Sequence, residues 1–285
     1  MSFIIHGANG AQGGPLFDLL LSEGESVFAA ARNPTNLKGK PFIAVNNSAV
    51  NSLVSAYKDS DGVFFHLPQA PEPLRLEYAR NFLEAINVAK PRRVVISTSG
   101  TVIDQPGSAI QVPAESAMEI LVRGIDSTNI SHAIVAPRLY LENLLLPMVV
   151  GRVKQAGILS YPIRSDLLVS WSSHLDVAQV AQRLLTDHTV TGIVGLGHLP
   201  GLNGAGLADG FSERFNRTIR FEAQSPEDFR TLLEPVLGPA AFNVAAFYQA
   251  LLPLDKNVIA EETSAQKLLG MAPRSVTEWL NEISI

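Results

Sequence analysis

The sequence holds 285 residues, enough to bury a large core as one big domain or as two lobes. Apolar residues make up 46% and charged residues 17%, below the roughly 25% typical of soluble domains, so the profile is globular and the sparse charge makes a homodimer a reasonable assembly. Twenty-two basic against 27 acidic residues give a net charge of −5, which argues against nucleic acid and anionic membranes as partners, and the absence of cysteine excludes disulfides, thiolate metal sites and cysteine nucleophiles.

The chain enters a strand at Phe3–His6, with no basic n-region or cleavage pattern, so no signal peptide is expected. Gly7-Ala8-Asn9-Gly10-Ala11-Gln12-Gly13-Gly14 follows directly and leads into a helix with Pro15 in its first turn and Leu16, Leu19 and Leu20 at helical spacing. Three glycines three residues apart let the chain turn sharply, let backbone N–H groups approach a pyrophosphate, and let the helix pack closely on the strand. The helix start adds free donors and partial positive charge at the same place. Gly7, Asn9, Gly10, Ala11, Gln12 and Gly13 are therefore candidate dinucleotide-binding residues, against the plainer reading of a structural turn.

The next strand, Ser26–Ala31, runs into Arg32-Asn33-Pro34. A site selecting NAD would place Asp or Glu there for the ribose 2′-hydroxyl. Arg32 instead offers a planar fork suited to a 2′-phosphate, with Lys38 and Lys40 nearby, so NADP(H) is the expected cofactor. A third strand is expected at Gly62–Leu67. The spacing of Leu74, Tyr78, Phe82, Ile86 and Ala89 then predicts a helix from Pro73 to Lys90, stopped by Pro91. Strands follow at Arg93–Ser97, His132–Pro137 and Leu168–Trp171. The apolar stretch around 139–150 is interrupted by Glu142, Asn143 and Pro147, too short and polar to span a bilayer, and a cytoplasmic location is expected.

Beyond residue 196 strands become scarce and helices open with caps such as Ser225-Pro226-Glu227-Asp228. The alternation of strands and helices predicts an α/β fold: a Rossmann-type, doubly wound, mostly parallel sheet with a small, mostly helical C-terminal lobe. The expected division is a nucleotide-binding domain over 1–150, with strands returning at about 165–197, and a smaller substrate-cleft lobe over 198–285.

The glycine loop, the Ala31-Arg32-Asn33-Pro34 corner and Pro137-Arg138-Leu139-Tyr140-Leu141-Glu142-Asn143 together resemble the NmrA-like branch of the atypical short-chain dehydrogenases/reductases. Trp171-Ser172-Ser173-His174-Leu175-Asp176-Val177-Ala178 is similar to that family's strand and Asp-Val-Ala helix start. Leu269-Gly270-Met271-Ala272-Pro273-Arg274-Ser275, with Trp279, resembles its closing helical element. The resemblance implies a seven-stranded sheet with a cleft beside a small lobe. It also implies a membership ranging from NAD(P)H-dependent quinone and dye reductases to nucleotide-sensing regulators with little catalysis. Leu67, Pro68 and Ser97 would border the cofactor, and Tyr140 to Asn143 would sit near the nicotinamide.

The wider superfamily uses a tyrosine acid and a lysine four residues later that lowers its pKa. Aligned on Glu119, those positions hold Gln111 and Glu115, neither of which can play its part. What remains is hydride transfer to a planar conjugated acceptor such as a quinone, whose own electron affinity drives the step while the protein orients and excludes water. Tyr140 and Ser99 are the residues expected to contact the acceptor, and His66 lies at a strand end facing the ligand. The rival reading is a non-catalytic NADP(H)-sensing regulator. A sugar epimerase or dehydratase would need the missing Tyr/Lys pair.

Other features have plainer readings. The six histidines show no pair at helical ligand spacing, so no metal is expected. Gly201-Leu202-Asn203-Gly204-Ala205-Gly206 reads as a connector, Trp171 and Trp279 as core, His174 as a packed or surface histidine, and Asp176 as a helix N-cap.

Overall fold

The computed structural model describes every residue except Pro34, Asn36 and Lys38, so Pro34 and Lys38 of the expected 2′-phosphate corner lie outside the described residues. The amino-terminal elements are β1 (Ser2–His6), α1 (Gly13–Ser22), β2 (Ser26–Ala31), β3 (Phe42–Ala44), α2 (Val50–Tyr57), β4 (Gly62–His66), α3 (Glu72–Ala89), β5 (Val94–Ser97), α4 (Ala117–Asp126) and β6 (His132–Pro137). Then come β7 (Leu139–Tyr140), a tight helical turn at Leu141–Leu145, α5 (Pro147–Ala156), β8 (Ile158–Tyr161), β9 (Leu168–Val169), β10 (Trp171–Ser172), α6 (His174–Thr186) and β11 (Gly192–Leu196). The remainder comprises α7 (Gly204–Phe215), β12 (Arg220–Ala223), α8 (Pro226–Leu237), α9 (Ala240–Leu251), β13 (Lys256–Asn257), α10 (Ala265–Leu269) and α11 (Val276–Glu282).

Seven strands form one parallel sheet in the order β11-β6-β5-β4-β1-β2-β3. The order reverses between β1 and β4, and in such open sheets ligands sit beyond the carboxyl ends of the strands at that switch. Strands buried on both faces read as continuous apolar runs. Val94-Val95-Ile96 and Ala133-Ile134-Val135-Ala136 fit that pattern, and all seven residues are fully buried. One layer joins α1 and α6 to the sheet through Leu16, Phe17, Leu20, Val177, Ala181 and Leu184. The opposite layer joins α2, α3 and α4 through Leu53, Phe82, Ile86, Met118 and Leu121.

A third apolar cluster draws Leu141, Leu144, Tyr161 and Trp171 together with Phe211, Phe229, Tyr248 and Trp279. Here the structure departs from the expected strands. Leu168–Trp171 is not one strand of the main sheet. It splits into β9, which pairs with β13, and β10, which pairs with β7. The seventh strand of the sheet is β11 instead, whose Gly192 and Gly195 weaken its strand signature. The edge strand β3 has only three residues and a polar flank, too short for an alternation pattern to register.

Candidate active site

The glycine loop joins β1 to α1. Gly7 has φ +66°, and a Cβ placed there would meet the His66 Nε2 at 2.3 Å. A Cβ on Gly13 would meet the His6 carbonyl oxygen at 2.3 Å and the Gly7 oxygen at 2.5 Å. Both positions therefore require glycine, one for its backbone angle and its histidine neighbour, the other for helix-on-strand contact. Asn9, Gly10 and Ala11 form the exposed crest of the loop, while Gln12 and Gly13 are buried beneath it. The loop is pinned by the Gly10 N–H donating to the Gly7 carbonyl at 2.7 Å and Gly14 N–H to the Gly10 carbonyl at 3.0 Å. This cradle at the amino end of α1 fits a pyrophosphate, because unpaired N–H groups and the helix dipole converge there.

Two imidazoles lie under the loop. Burial pushes His6 down to about 3, with His66 adding to the effect, and burial also lowers His66. His6 Nε2 is 2.7 Å from the Tyr57 hydroxyl, fully inside the protein. Both rings are neutral at physiological pH, so the loop floor adds no formal positive charge, and attraction for a phosphate rests on backbone donors. Lys40 stands at the other side. Its Nζ donates to the Ala8 carbonyl at 3.1 Å, pairs with Asp18 at 2.7 Å, and lies 4.5 Å from the Phe17 ring centroid. Arg32 is exposed at the end of β2. His66, Leu67 and Pro68 follow at the end of β4, on the other side of the switch point.

The carboxyl end of β5 is tied to the loop by two hydrogen bonds through Gln12, and a third between its own serines closes a ring. Ser97 Oγ donates to Gln12 Oε1 at 2.6 Å, Gln12 Nε2 donates to Ser99 Oγ at 3.0 Å, and the Ser99 N–H donates to Ser97 Oγ at 3.2 Å. Ser99 holds φ +55°, a left-handed conformation unusual for serine. The Gln12 side chain is thus consumed in bracing, leaving its main chain to face a ligand. The Ser99 hydroxyl, an acceptor in this ring, keeps its own proton available to donate.

Tyr140 is the link to the next wall. It pairs with Ser172 across β7 and β10, its ring lies 4.4 Å from the His174 ring, and its hydroxyl is buried close to the Ser97 side chain without reaching full hydrogen-bond geometry. Burial raises its phenol far above the usual range, the neighbouring Ser97 hydroxyl offsets part of the rise, and the Glu142 carboxylate adds to it. Tyr140 therefore stays protonated, an O–H donor in hydrogen bonds and a very poor acid. Asn143, one turn on, sits beside Tyr161, whose hydroxyl contacts that of Tyr248.

Sequence reasoning missed what holds Tyr140 in place. Glu142 Oε1 accepts from the His174 N–H at 2.9 Å and from the Trp279 indole at 3.1 Å. His174 Nδ1 is 3.6 Å from Glu142 Oε2. Burial lowers His174 to about 4 and raises Glu142, so each favours its neutral form. Trp279 is fully buried, as a core tryptophan should be, yet its polar edge reaches the residue next but one to Tyr140. The nearest available signal was a Glu and a Trp far apart in sequence, which no local pattern connects.

Three further sequence readings meet the geometry. Asp176 is not the N-cap of α6: Ser173 is, and Asp176 is its capping-box partner, because the shorter serine side chain reaches the third helical N–H while Asp176 returns a bond to the Ser173 N–H. Asp176 also receives the Arg274 main chain at 3.1 Å and its guanidinium at 2.8 Å. Asn203 caps α7, and a Cβ on Gly204 would strike the Phe221 ring, so the 201–206 segment is a packed connector. Gln111 Oε1 accepts from the Gln105 N–H at 2.8 Å, and Glu115 is exposed before α4.

Comparison with known proteins follows this layout. A model described as the NmrA-like family matches residues 2–280. Triphenylmethane reductase from Citrobacter sp. superposes with a TM-score of 0.80 at 19% identity, covering 100% of both chains. An NADPH-dependent quinone oxidoreductase from Escherichia coli, solved with NADPH, gives a TM-score of 0.73 at 17% identity, again over 100% of both chains. A nucleoside-diphosphate-sugar epimerase from Staphylococcus aureus gives 0.77 at 19% identity, covering 98% of this chain and 99% of the other. No curated protein matches by sequence. Among the described residues, no helix is long and apolar enough to cross a membrane.

Proposed function

The chain belongs to the NmrA-like family, and on that premise we propose that it is an NADPH-dependent reductase passing hydride to a planar conjugated acceptor such as a quinone. The observation that carries the reading is the ring of Ser97, Gln12 and Ser99, which couples a dinucleotide-type glycine loop to the strand end beside Tyr140. A dinucleotide bound there supplies the hydride. Gly7, Asn9, Gly10, Ala11, Gln12 and Gly13 hold its pyrophosphate through main-chain donors. Arg32, exposed at the end of β2, meets the 2′-phosphate, and Leu67, Pro68 and Ser97 flank the chain of contacts toward β5.

Tyr140 and Ser99 contact the acceptor as hydrogen-bond donors rather than as acid–base catalysts. The buried phenol is too weak an acid to release its proton, and Gln111 and Glu115 offer no substitute for a Tyr/Lys pair. An acceptor with high electron affinity needs orientation and a dry site more than a strong protein acid. The triphenylmethane reductase and the quinone oxidoreductase that share this fold support the same reading. The division into a nucleotide-binding part over 1–150, with strands returning at about 165–197, and a substrate-cleft lobe over 198–285 belongs to this proposal.

Anaerobic titration with NADPH and NADH, followed by a panel of quinones and dyes in the same cuvette, tests it. Tight NADPH binding and rapid loss of nicotinamide absorbance on adding an acceptor is the expected result. Tight binding without oxidation transfers the case to a nucleotide sensor. Failure to bind either nucleotide overturns the reading of the loop.

A further inference from the structure

A pyrophosphate carries a negative charge on each phosphate, and the cradle at the start of α1 meets it with partial charges only. Lys40 reaches the loop at the Ala8 carbonyl, but Asp18 lies 2.7 Å from its Nζ and cancels its charge. Arg32, exposed at the end of β2, belongs to the 2′-phosphate in the same reading. What the cradle lacks is a cation of its own, and holding charged phosphates there without one is costly.

His66 is placed to supply it. It ends β4, and the sheet order reverses between β1 and β4, so its ring stands at the switch point. Its Nε2 occupies the space that a Cβ on Gly7 would fill, with Cε1 3.1 Å from that point, so the ring lies against the first glycine of the loop. His66 is half-buried, and among the described residues nothing bonds its Nε2. Nδ1 lies 3.4 Å from the Leu67 carbonyl, which only accepts, so the neutral ring keeps its proton on Nδ1 and leaves Nε2 a bare lone pair. A bare lone pair repels a phosphate oxygen. A protonated Nε2 binds one through a charge-assisted hydrogen bond, while Nδ1 keeps Leu67.

The groups that face the ring are His6 at the end of β1, Phe64 on β4 itself, and Ser97 at the matching register position of β5. None is anionic, and burial lowers His66, so without a nearby anion the ring is neutral. His6 cannot take its part, because it is buried with its own Nε2 on the Tyr57 hydroxyl. We propose that His66 is a phosphate ligand of the glycine loop, drawing a proton from solvent onto Nε2 as the pyrophosphate arrives, so that nucleotide binding and proton uptake are one event. The inference rests on the dinucleotide reading of the loop and adds to it a contact that is charged only in the complex. Gly7 and His66 are matched in size, since any side chain at residue 7 would displace the ring.

Calorimetric titration of the full chain with NADP⁺ at about pH 6.5, in buffers of contrasting ionisation enthalpy, counts the protons exchanged. The 2′-phosphate exchanges protons of its own, equally in wild type and in His66→Gln, so the difference between the two proteins isolates His66. Wild type is expected to take up about half a proton more per site. The complex holds the extra proton, so acid favours binding. Half a proton across two pH units makes the affinity of wild type, relative to His66→Gln, rise about 10-fold from pH 8 to pH 6.

Equal proton counts and parallel pH profiles in the two proteins overturn the proposal and leave the dinucleotide reading standing. Should His66→Gln not fold, NAD⁺ with wild type replaces the comparison, because it lacks the 2′-phosphate, and binding without proton uptake then overturns the proposal just as well. Binding of neither nucleotide removes the reading of the loop and the proposal with it. Proton uptake that follows His66, with no NADPH oxidised by any acceptor, keeps the contact and removes only the reductase reading.

Discussion

Replacing Gly13 by alanine puts the glycine loop under a defined load. The added carbon would sit 2.3 Å from the His6 carbonyl oxygen, 2.5 Å from the Gly7 oxygen and 2.6 Å from the Gly7 carbonyl carbon, all main-chain atoms with no rotamer to give way. Contacts below 3.0 Å must open, so α1 and the loop separate by roughly 1 Å, an overpacking cost of about 1–3 kcal/mol. The same movement withdraws the N–H groups of the α1 start from a bound pyrophosphate. Losing one or two such charge-assisted bonds at about 1.5–3 kcal/mol each lowers affinity by at least about 10-fold.

Gly14→Ala is the matched control, because its carbon would meet only the Ala8 oxygen at an ordinary 3.6 Å, and alanine inside a helix stabilises by about 0.5–1 kcal/mol. Thermal unfolding with NADPH fluorescence titration reads both effects, each kcal/mol moving Tm by about 2–4 °C in a chain of this order of size. Gly13→Ala binding NADPH like wild type, or Gly14→Ala losing as much as Gly13→Ala, would show that close contact at Gly13 does not shape the phosphate cradle.

Three other outcomes are expected. Arg32→Ala lowers the ratio of NADPH to NADH affinity by about 10-fold, with Tm within 1–2 °C of wild type because the side chain is exposed; parallel titrations of the two nucleotides check it. Ser97→Ala opens the hydrogen-bonded ring and leaves Gln12 Oε1 without its donor, costing about 1–3 kcal/mol in urea unfolding and weakening NADPH binding as well. His174 is held near 4 in the folded chain against 6.5 when unfolded, so the unfolded state takes up the extra proton as pH falls through that interval. Its contribution is nil above about pH 7 and destabilises by up to about 3 kcal/mol on approaching pH 4, while Glu142, raised by burial, works in the opposite direction. His174→Asn therefore flattens the fall in Tm between pH 6.5 and 4, and an unchanged slope would show that His174 is not the group concerned.

Local signals carried the amino-terminal half of the fold well. The loop after β1 announces itself through Gly7, Gly10 and Gly13, and α3 through its apolar spacing, because both depend on residues within one turn of each other. Elements whose reason lies elsewhere were hidden. β11 pairs along its length with β6 although Gly192 and Gly195 give it little strand character; a Cβ on Gly195 would come 3.0 Å from the Ile259 Cβ, so the close approach of Ile259 favours glycine there. β10 is a strand only because β7 lies beside it. The site divides in the same way. Its nucleotide side follows from contiguous motifs, whereas the Glu142–Trp279 pair joins side chains 137 residues apart and leaves no periodic trace.

The indole bond from Trp279 to Glu142 also sets an order of events during synthesis. The glycine loop and its brace span Gly7 to Ser99, so this half of the site can close while most of the chain is still to be made. The wall that carries Tyr140 cannot be finished until α11 has left the ribosome and folded back across 137 residues. Arg274 reaching Asp176 across 98 residues belongs to the same late step. Closing so long a span is slow, because chain entropy must be lost before the contact returns anything. A nascent chain can thus complete its glycine loop early and the wall around Tyr140 last.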